Sequence, residues 1–150
     1  MATNTTPPAA VQRLTLTNFI AAWETWSAED MIACFSPDIQ QRSMPLALGI
    51  PGRSRKEIEY TLPKLVQAVR NYSLKVSNVI HDTARNKAAI YAEAQGDTPF
   101  GDFQNEYACF VEFDDKGEKI KQLDEFMDSV FLMRFFPGFK RYLEEQSKGS

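Results

Sequence analysis

Residues 103–129, FQNEYACFVEFDDKGEKIKQLDEFMDS, decide the fold of this chain. From residue 103 to residue 113, mainly apolar or aromatic side chains alternate with mainly polar ones, which is the period of a strand with one buried face. Residues 114–117 are typical of a hairpin turn, and residues 120–129 continue as a second strand. The stretch therefore predicts two neighbouring antiparallel strands.

The same alternation extends upstream of this stretch. Residues 72–76 and 88–95 each show it, and turn residues follow at 97–101, so we expect a four-stranded antiparallel meander. Two short helical segments, 130–136 and 139–145, follow the meander, because Pro-Gly at 137–138 is expected to break a helix.

Three helices are predicted ahead of the meander. Apolar residues recur at spacings of three and four over 16–26, and a capping box at Ser27 begins a second short helix. Residues 56–70 repeat the pattern in a third helix, preceded by a strand at 38–44 and a loop at 45–52. Helices segregated from an antiparallel sheet indicate the α+β class, and a curved sheet incompletely covered by helices leaves an apolar pocket.

Composition bounds the classes of protein to consider. The chain has 150 residues, of which 43% are hydrophobic and 25% charged, which favours one globular domain. We expect this domain at 13–146, with a disordered segment at 1–12 and a flexible tail at 147–150. The formal net charge of −3 gives no electrostatic reason to bind nucleic acid or an anionic membrane.

The first residues of the chain and its cysteines indicate the cellular compartment. The first twelve residues lack the basic start and apolar stretch of a secretory signal, and no run approaches about 18 apolar residues. Cys34 and Cys109 have no neighbouring cysteine that would give a redox or zinc spacing. They are interpreted as buried thiols, and the protein as cytoplasmic, with no membrane partner.

Four short motifs, together with this pattern, resemble those of a known protein family. They are DTPFGDFQNEY at 97–107, DKGEKI at 115–120, EFMDS at 125–129 and FFP at 135–137. With the predicted element order, they resemble the SnoaL-like and nuclear transport factor 2-like (NTF2-like) superfamily. Within it, they are similar to a fungal subfamily that includes isomerases of meroterpenoid pathways.

The resemblance carries expectations about fold and assembly. It implies a cone over about residues 14–137, in which a curved antiparallel sheet is capped by three N-terminal helices and encloses a pocket. It also implies a homodimer. One position departs from the subfamily, since the match to a strand histidine falls on QRSMP at 41–45. A histidine mechanism is therefore not expected.

Glu125 is the first candidate for catalysis. The sequence has no phosphate-binding loop, nucleophile elbow or metal-ligand spacing, so we expect side-chain chemistry without a cofactor or metal. On a strand, Glu125 shares a face with Leu123 and Met127, and burial there would raise its pKa toward neutrality. Phe126 argues for the opposite face, which leaves a solvated or dimer-facing carboxylate open. The resemblance favours the pocket, because limonene epoxide hydrolase, a superfamily member, has a carboxylate at the matching position.

Further residues are predicted around this carboxylate. Asn105 and Tyr107, on the apolar face of the preceding strand, would orient a carbonyl or stabilise an enolate; the alternative is a core tyrosine. The other candidates are Glu57 and Asp97 for catalysis and Gln41, Arg53, Met127 and Trp23 for substrate binding. A surface ion pair between Arg53 and Glu57, and turn geometry at Asp97, remain alternatives.

Together these features predict a cofactor-independent isomerase or cyclase of secondary metabolism. It would act by proton transfer on a hydrophobic polyketide or meroterpenoid intermediate. A dehydratase or epoxide hydrolase is the alternative enzyme. A small-molecule binding protein or a protein adaptor is the alternative outside catalysis, since a fold does not fix a function.

Overall fold

The elements of the protein come from a computed structural model that describes residues 5–149. The helices are α1 Ala9–Glu24, α2 Ala28–Ala33, α3 Arg55–Ala68 and α4 Ser129–Lys148, with a short 3-10 turn at Leu46–Leu48. The strands are β1 Phe35–Met44, β2 Arg53–Ser54, β3 Arg70–Asp82, β4 Lys87–Thr98, β5 Gly101–Phe113 and β6 Ile120–Met127. The predicted α+β class is confirmed.

The six strands form one curved, open sheet in the order β2-β1-β6-β5-β4-β3. Strands β3 to β6 pair antiparallel in sequence order, which confirms the predicted meander. Strand β1 pairs parallel with β6, so the sheet is mixed and not purely antiparallel. A parallel pair needs a long connection, and α3 with the rest of the meander provides it.

Helices α1, α2 and α3 cover the concave face of the sheet, as predicted. Leu16, Phe19 and Trp23 on α1 belong to one buried core cluster with the strand residues Ile90 and Val111. Helix α3 begins with a capping box in which the Ser54 and Glu57 side chains satisfy each other's backbone amides.

Helix α4 differs from the prediction of two segments, because it continues through Pro137 and Gly138. Proline removes one helical hydrogen bond, but Phe135 and Phe139 stack across this turn with ring centroids 5.7 Å apart. A Cβ at Gly138 would lie 2.7 Å from the Phe100 ring, so glycine permits the close approach. The cap therefore includes a fourth helix. Within residues 5–149, no helix is both long and apolar enough to cross a bilayer.

At both ends of the chain, the described residues are more ordered than the sequence predicted. Disorder was expected over 1–12, but α1 begins at Ala9 and Gln12 is fully buried. The Gln12 amide donates to the backbone oxygens of Pro7 at 2.8 Å and Thr83 at 3.0 Å, which fixes this segment against the sheet. Helix α4 extends to Lys148, inside the predicted tail. Residues 1–4 and 150 lie outside the described residues.

The two cysteines agree with the prediction of buried thiols. Cys34 and Cys109 are free and buried. Burial raises the pKa of Cys109 well above its ordinary value. Burial also raises the pKa of Cys34, so both thiols favour the neutral form.

Candidate active site

A cavity of about 120 Å³ lies between the concave face of the sheet and helices α1, α3 and α4. Its walls are mainly apolar and rich in aromatic rings, among them Trp23, Trp26 and the α4 residues Phe131, Phe135 and Phe139. A dry cavity of about 150 Å³ holds benzene. The enclosed space therefore accommodates about one ring of a ligand, and the rest of a larger ligand would lie in its mouth.

The polar side chains of the cavity come mainly from the strands. They are Gln41 and Ser43 on β1, Arg53 on β2, Asn105 and Tyr107 on β5, Glu125 on β6 and Thr61 on α3. Strand register explains the grouping, because directly paired residues share a face of a sheet. Gln41 pairs with Arg53 across β1 and β2, and Ser43 pairs with Glu125 across β1 and β6.

Glu125 lies in the cavity, on the face that the resemblance favoured. Its side chain is half-buried among protein atoms, and this burial raises the pKa of Glu125 to about 7. The positive charge of Arg53 and hydrogen bonding by the Gln41 side chain oppose the rise in pKa without cancelling it. A carboxyl with such a pKa exchanges protons readily near neutral pH.

Arg53 brings a positive charge into the same cavity. Burial lowers the pKa of its guanidinium, while the nearby Glu125 and Glu57 raise it. Among residues 5–149, no carboxylate lies within ion-pair distance of Arg53, although Arg42, Arg55 and Arg85 each have one.

Asn105 and Tyr107 are buried on β5, one strand away from Glu125. The Asn105 side-chain oxygen accepts from the backbone amides of Glu106 at 2.9 Å and Asp128 at 3.3 Å. These two bonds fix the amide at the junction of β6 and α4. Burial raises the pKa of Tyr107 well above its ordinary value, so its hydroxyl remains a donor.

Two predicted catalytic residues do not lie in the cavity. Glu57 is exposed at the start of α3 and accepts from the Ser54 hydroxyl at 3.0 Å. Asp97 is exposed near the turn between β4 and β5 and accepts from the Asn71 amide at 2.9 Å. The other predicted residues, including Met127 and Trp23, line the cavity.

Sequence reasoning missed part of the lining. Phe131, Phe135 and Phe139 recur every four residues, which is a helical face, but the expected break at Pro137 concealed it. Ser43 follows Gln41 by two residues on β1, so the alternation that selected Gln41 also selects Ser43. Within the described part of the chain, no cluster of three or more His, Cys, Asp or Glu residues could hold a metal ion.

The chain is similar in sequence to several fungal proteins. The chain is 48% identical over 140 residues to "Monooxygenase AacuO" of Aspergillus aculeatus, covering 93% of this chain and 88% of that protein. It is 46% identical over 137 residues to "Monooxygenase AgnL5" of Paecilomyces divaricatus, covering 91% and 85%. The chain belongs to this family of fungal proteins named monooxygenases. No model of a protein family matches the chain.

Solved structures show which other proteins share the fold of this family. The pinacolase BvnE of Penicillium brevicompactum superposes with a TM-score of 0.78 over 91% of this chain and 94% of its own, at 17% identity. AusH of Aspergillus nidulans superposes with a TM-score of 0.71 over 82% and 87%, at 24% identity. At these identities the likeness concerns the fold. The predicted resemblance to SnoaL-like and NTF2-like proteins and their fungal members is confirmed.

Proposed function

We propose that this protein is an enzyme that moves protons on a hydrophobic, enolisable small molecule, as an isomerase or cyclase, and that Glu125 is its acid and base. The observation that carries the proposal is the Glu125 carboxyl in an aromatic cavity, with a pKa of about 7. Near neutral pH both protonation states are populated, so the same group can accept a proton and return it.

Isomerisation needs two proton transfers. In the first, the Glu125 carboxylate takes a proton from a C–H bond beside a carbonyl, and the electron pair of that bond forms an enolate. In the second, the Glu125 carboxyl returns the proton to another carbon of the conjugated system. Atoms and electrons balance, and no oxidant or reductant takes part.

The negative oxygen of the enolate needs hydrogen-bond donors that are already in place. The Tyr107 hydroxyl and the Asn105 amide nitrogen are suited to this role, because both residues are buried. The Asn105 amide is held through its oxygen by two backbone amides, and the Tyr107 ring packs edge-on against Trp23 at a centroid distance of 5.1 Å. The phenylalanines of α4 would exclude water from the reacting atoms, which strengthens each of these interactions.

The names of the relatives favour a second candidate, a monooxygenase that uses the same first step. An enolate carbon can react with dioxygen to give a hydroperoxide, and loss of water then leaves a carbonyl group. The balance is one CH₂ group and one O₂ giving one C=O group and one H₂O. Dioxygen is the oxidant, and Glu125 again takes the proton.

Hydrogen–deuterium exchange tests the step that both candidates share. The probe is 2-tetralone, a bicyclic ketone with acidic C–H groups beside its carbonyl, followed by NMR in D₂O. We expect the wild-type protein to accelerate exchange above the buffer rate and Glu125→Gln to lose about 10²- to 10⁴-fold of this acceleration. The matched control is Asp124→Asn, which changes the neighbouring carboxylate on the other face of β6 and should keep the wild-type rate within about twofold.

Three other results would each decide against part of the proposal. Exchange unchanged in Glu125→Gln removes this residue as the base. Binding of 2-tetralone without exchange above the buffer rate favours a binding protein. Dioxygen consumption that depends on Glu125 and keeps pace with product formation favours the monooxygenase over the isomerase.

A further inference from the structure

Arg53 is a partly exposed positive charge that lines the cavity and forms no ion pair among the described residues. It lies on the two-residue strand β2, opposite Gln41, and lines the cavity together with Glu125. In the described range 5–149, no carboxylate lies within 4.0 Å of its guanidinium and no hydrogen bond joins it to a protein group. Placing a charge in an apolar site is costly unless a partner neutralises it.

The two acidic groups near Arg53 do not supply that partner. Glu57 is exposed and its carboxylate accepts from Ser54 at the start of α3. Glu125 is half protonated near neutral pH, and proton transfer requires it to pass through its neutral form. The guanidinium therefore remains available to a group that enters from outside.

The aromatic side chains that line the same cavity indicate what carries that group. The rings of Phe103, Phe131 and Phe135 meet at centroid distances of 5.1 to 5.2 Å. The Trp26 ring, which also lines the cavity, is held by stacking on Tyr72 at 3.7 Å. Aromatic walls of this kind favour flat, conjugated ligands over branched aliphatic ones. A guanidinium binds a carboxylate or an ionised enol or phenol with directed, charge-assisted hydrogen bonds.

We infer that the substrate is an aromatic or conjugated ring system that bears an anionic oxygen group, and that Arg53 binds this group. The inference rests on the proposed function, because it names the substrate of the same cavity. Arg53 would fix the ring with its acidic oxygen toward β2, which sets which carbon faces Glu125.

A pair of probes that differ only in charge tests the inference. The probes are 2-naphthoate and 2-naphthamide, titrated at about pH 6, where Glu125 is mainly neutral and the naphthoate is an anion. The readout is the indole N–H NMR signals of Trp23 and Trp26, the two tryptophans of the chain, since both line the cavity. We expect the wild-type protein to bind 2-naphthoate at least about tenfold more tightly than 2-naphthamide.

At about pH 6, substitution of Arg53 should remove this preference without weakening the binding of the neutral probe, because loss of the Arg53 charge only raises the pKa of Glu125 further and leaves its carboxyl neutral. We expect Arg53→Met to weaken 2-naphthoate binding about 10- to 100-fold and to change 2-naphthamide binding less than about twofold. The control is Arg42→Met, which removes the same charge from the outer face of the sheet and should leave both affinities unchanged. Should Arg53→Met lose the folded indole signals, Arg53→Lys keeps the charge and should retain a weaker preference for 2-naphthoate.

Equal wild-type affinities for the two probes would overturn the inference. An equal loss of both in Arg53→Met, or a loss of the naphthoate preference in Arg42→Met, would do the same. The proposed function fails separately, because it is judged by the exchange rate of Glu125→Gln with uncharged 2-tetralone. A preference for 2-naphthoate with no effect of Glu125→Gln would support Arg53 as the anion site and reject Glu125 as the base.

Discussion

Asp124 and Glu125 are consecutive carboxylates that experience opposite environments. Asp124 lies on the convex face of the sheet, where the Arg42 guanidinium donates two hydrogen bonds at 2.8 and 2.7 Å and holds the pKa of that carboxyl below its ordinary value. Glu125 points into the cavity, where burial raises its pKa to about 7. Consecutive residues of a strand point to opposite faces of the sheet. Asp124 therefore forms an ordinary surface ion pair, whereas Glu125 becomes a candidate catalytic group.

The arginines of the two faces show the same contrast. Arg42 is satisfied by Asp124, while Arg53 lines the cavity without an ion pair among the described residues. A surface pair of this kind adds little to the stability of the fold, because water screens it. The concave face instead keeps its charged groups available, which costs stability and makes chemistry possible.

The largest expected effect concerns packing on the two faces of β5. Phe103 is 3% exposed on the concave face, whereas Phe110 is 51% exposed on the convex face. We expect Phe103→Ala to lower the free energy of unfolding by about 3 to 5 kcal/mol and Phe110→Ala by less than about 1 kcal/mol. Urea unfolding at one fixed, low protein concentration measures both, and similar losses would contradict the contrast between the faces.

A second prediction compares the free energies of unfolding of Glu125→Gln and Asp124→Asn at about pH 8. The pKa of Glu125 is raised on folding, so its ionisation opposes folding as pH rises from about 4.3 to 7. Removing it should raise the free energy of unfolding by roughly 1 to 3 kcal/mol, the lower end allowing for its partial exposure. At about pH 4 this gain should disappear.

Asp124→Asn should have the opposite sign. The pKa of Asp124 is lowered on folding, so its contribution is present above an unfolded pKa of about 3.9 and is lost as pH falls through the folded value. We expect a loss of about 1 kcal/mol or less at pH about 8. Equal signs for the two variants in the same thermal and urea unfolding experiments would refute the comparison.

A third prediction concerns the pH dependence of deuterium exchange into 2-tetralone. Below about pH 7 the rate should fall about tenfold per unit, because the carboxylate of Glu125 is progressively protonated. Burial raises the pKa of Tyr72, Tyr107 and Cys109, so these neighbours do not titrate in that range. Asp124→Asn should keep the profile; an inflection that persists in Glu125→Gln would assign it to another group.

The smallest expected effect concerns the convex face, where Phe110, Phe126 and Ile80 are exposed. Ala89 on β4 pairs with both Ile80 on β3 and Phe110 on β5, so these residues form one row across the sheet. Phe126 on β6 pairs with Ala108, which places it in the adjacent row of the same face. We expect this patch to mediate the predicted homodimer. Light scattering should give about twice the chain mass of 17.1 kDa, and Phe110→Glu should shift the equilibrium toward monomer. A wild-type monomer at micromolar concentration would reject this assembly.

Strand β5 could be predicted from sequence, whereas β6 could not be oriented from its pattern alone. Alternation along β5 is long and regular, which placed Asn105 and Tyr107 inward. On β6, Phe126 faces outward as part of the convex patch, and Ile120 is buried because the register with β5 shifts between Glu112 and Phe113. The outward-facing Phe126 and the register shift together remove the alternation of apolar and polar residues that would have oriented β6.

Other errors come from contacts between distant parts of the chain. Gln12 is held in place by hydrogen bonds with Thr83 and His81, which are about seventy residues away in sequence. No local pattern around residue 12 predicts these contacts. The continuity of α4 through Pro137 depends on aromatic stacking and on Phe100 packing against Gly138. Parallel pairing of β1 with β6 likewise depends on tertiary packing.

The division of the cavity between sheet and last helix has an evolutionary consequence. The carboxyl, the guanidinium and most of the polar partners come from strands, whereas α4, a single run of 20 residues, contributes the phenylalanines of one wall. Substitutions in α4 can therefore change the shape of molecule that is admitted without disturbing the groups that handle protons and charge. Relatives that have diverged in this helix are the natural place to look for altered substrate preference with retained chemistry.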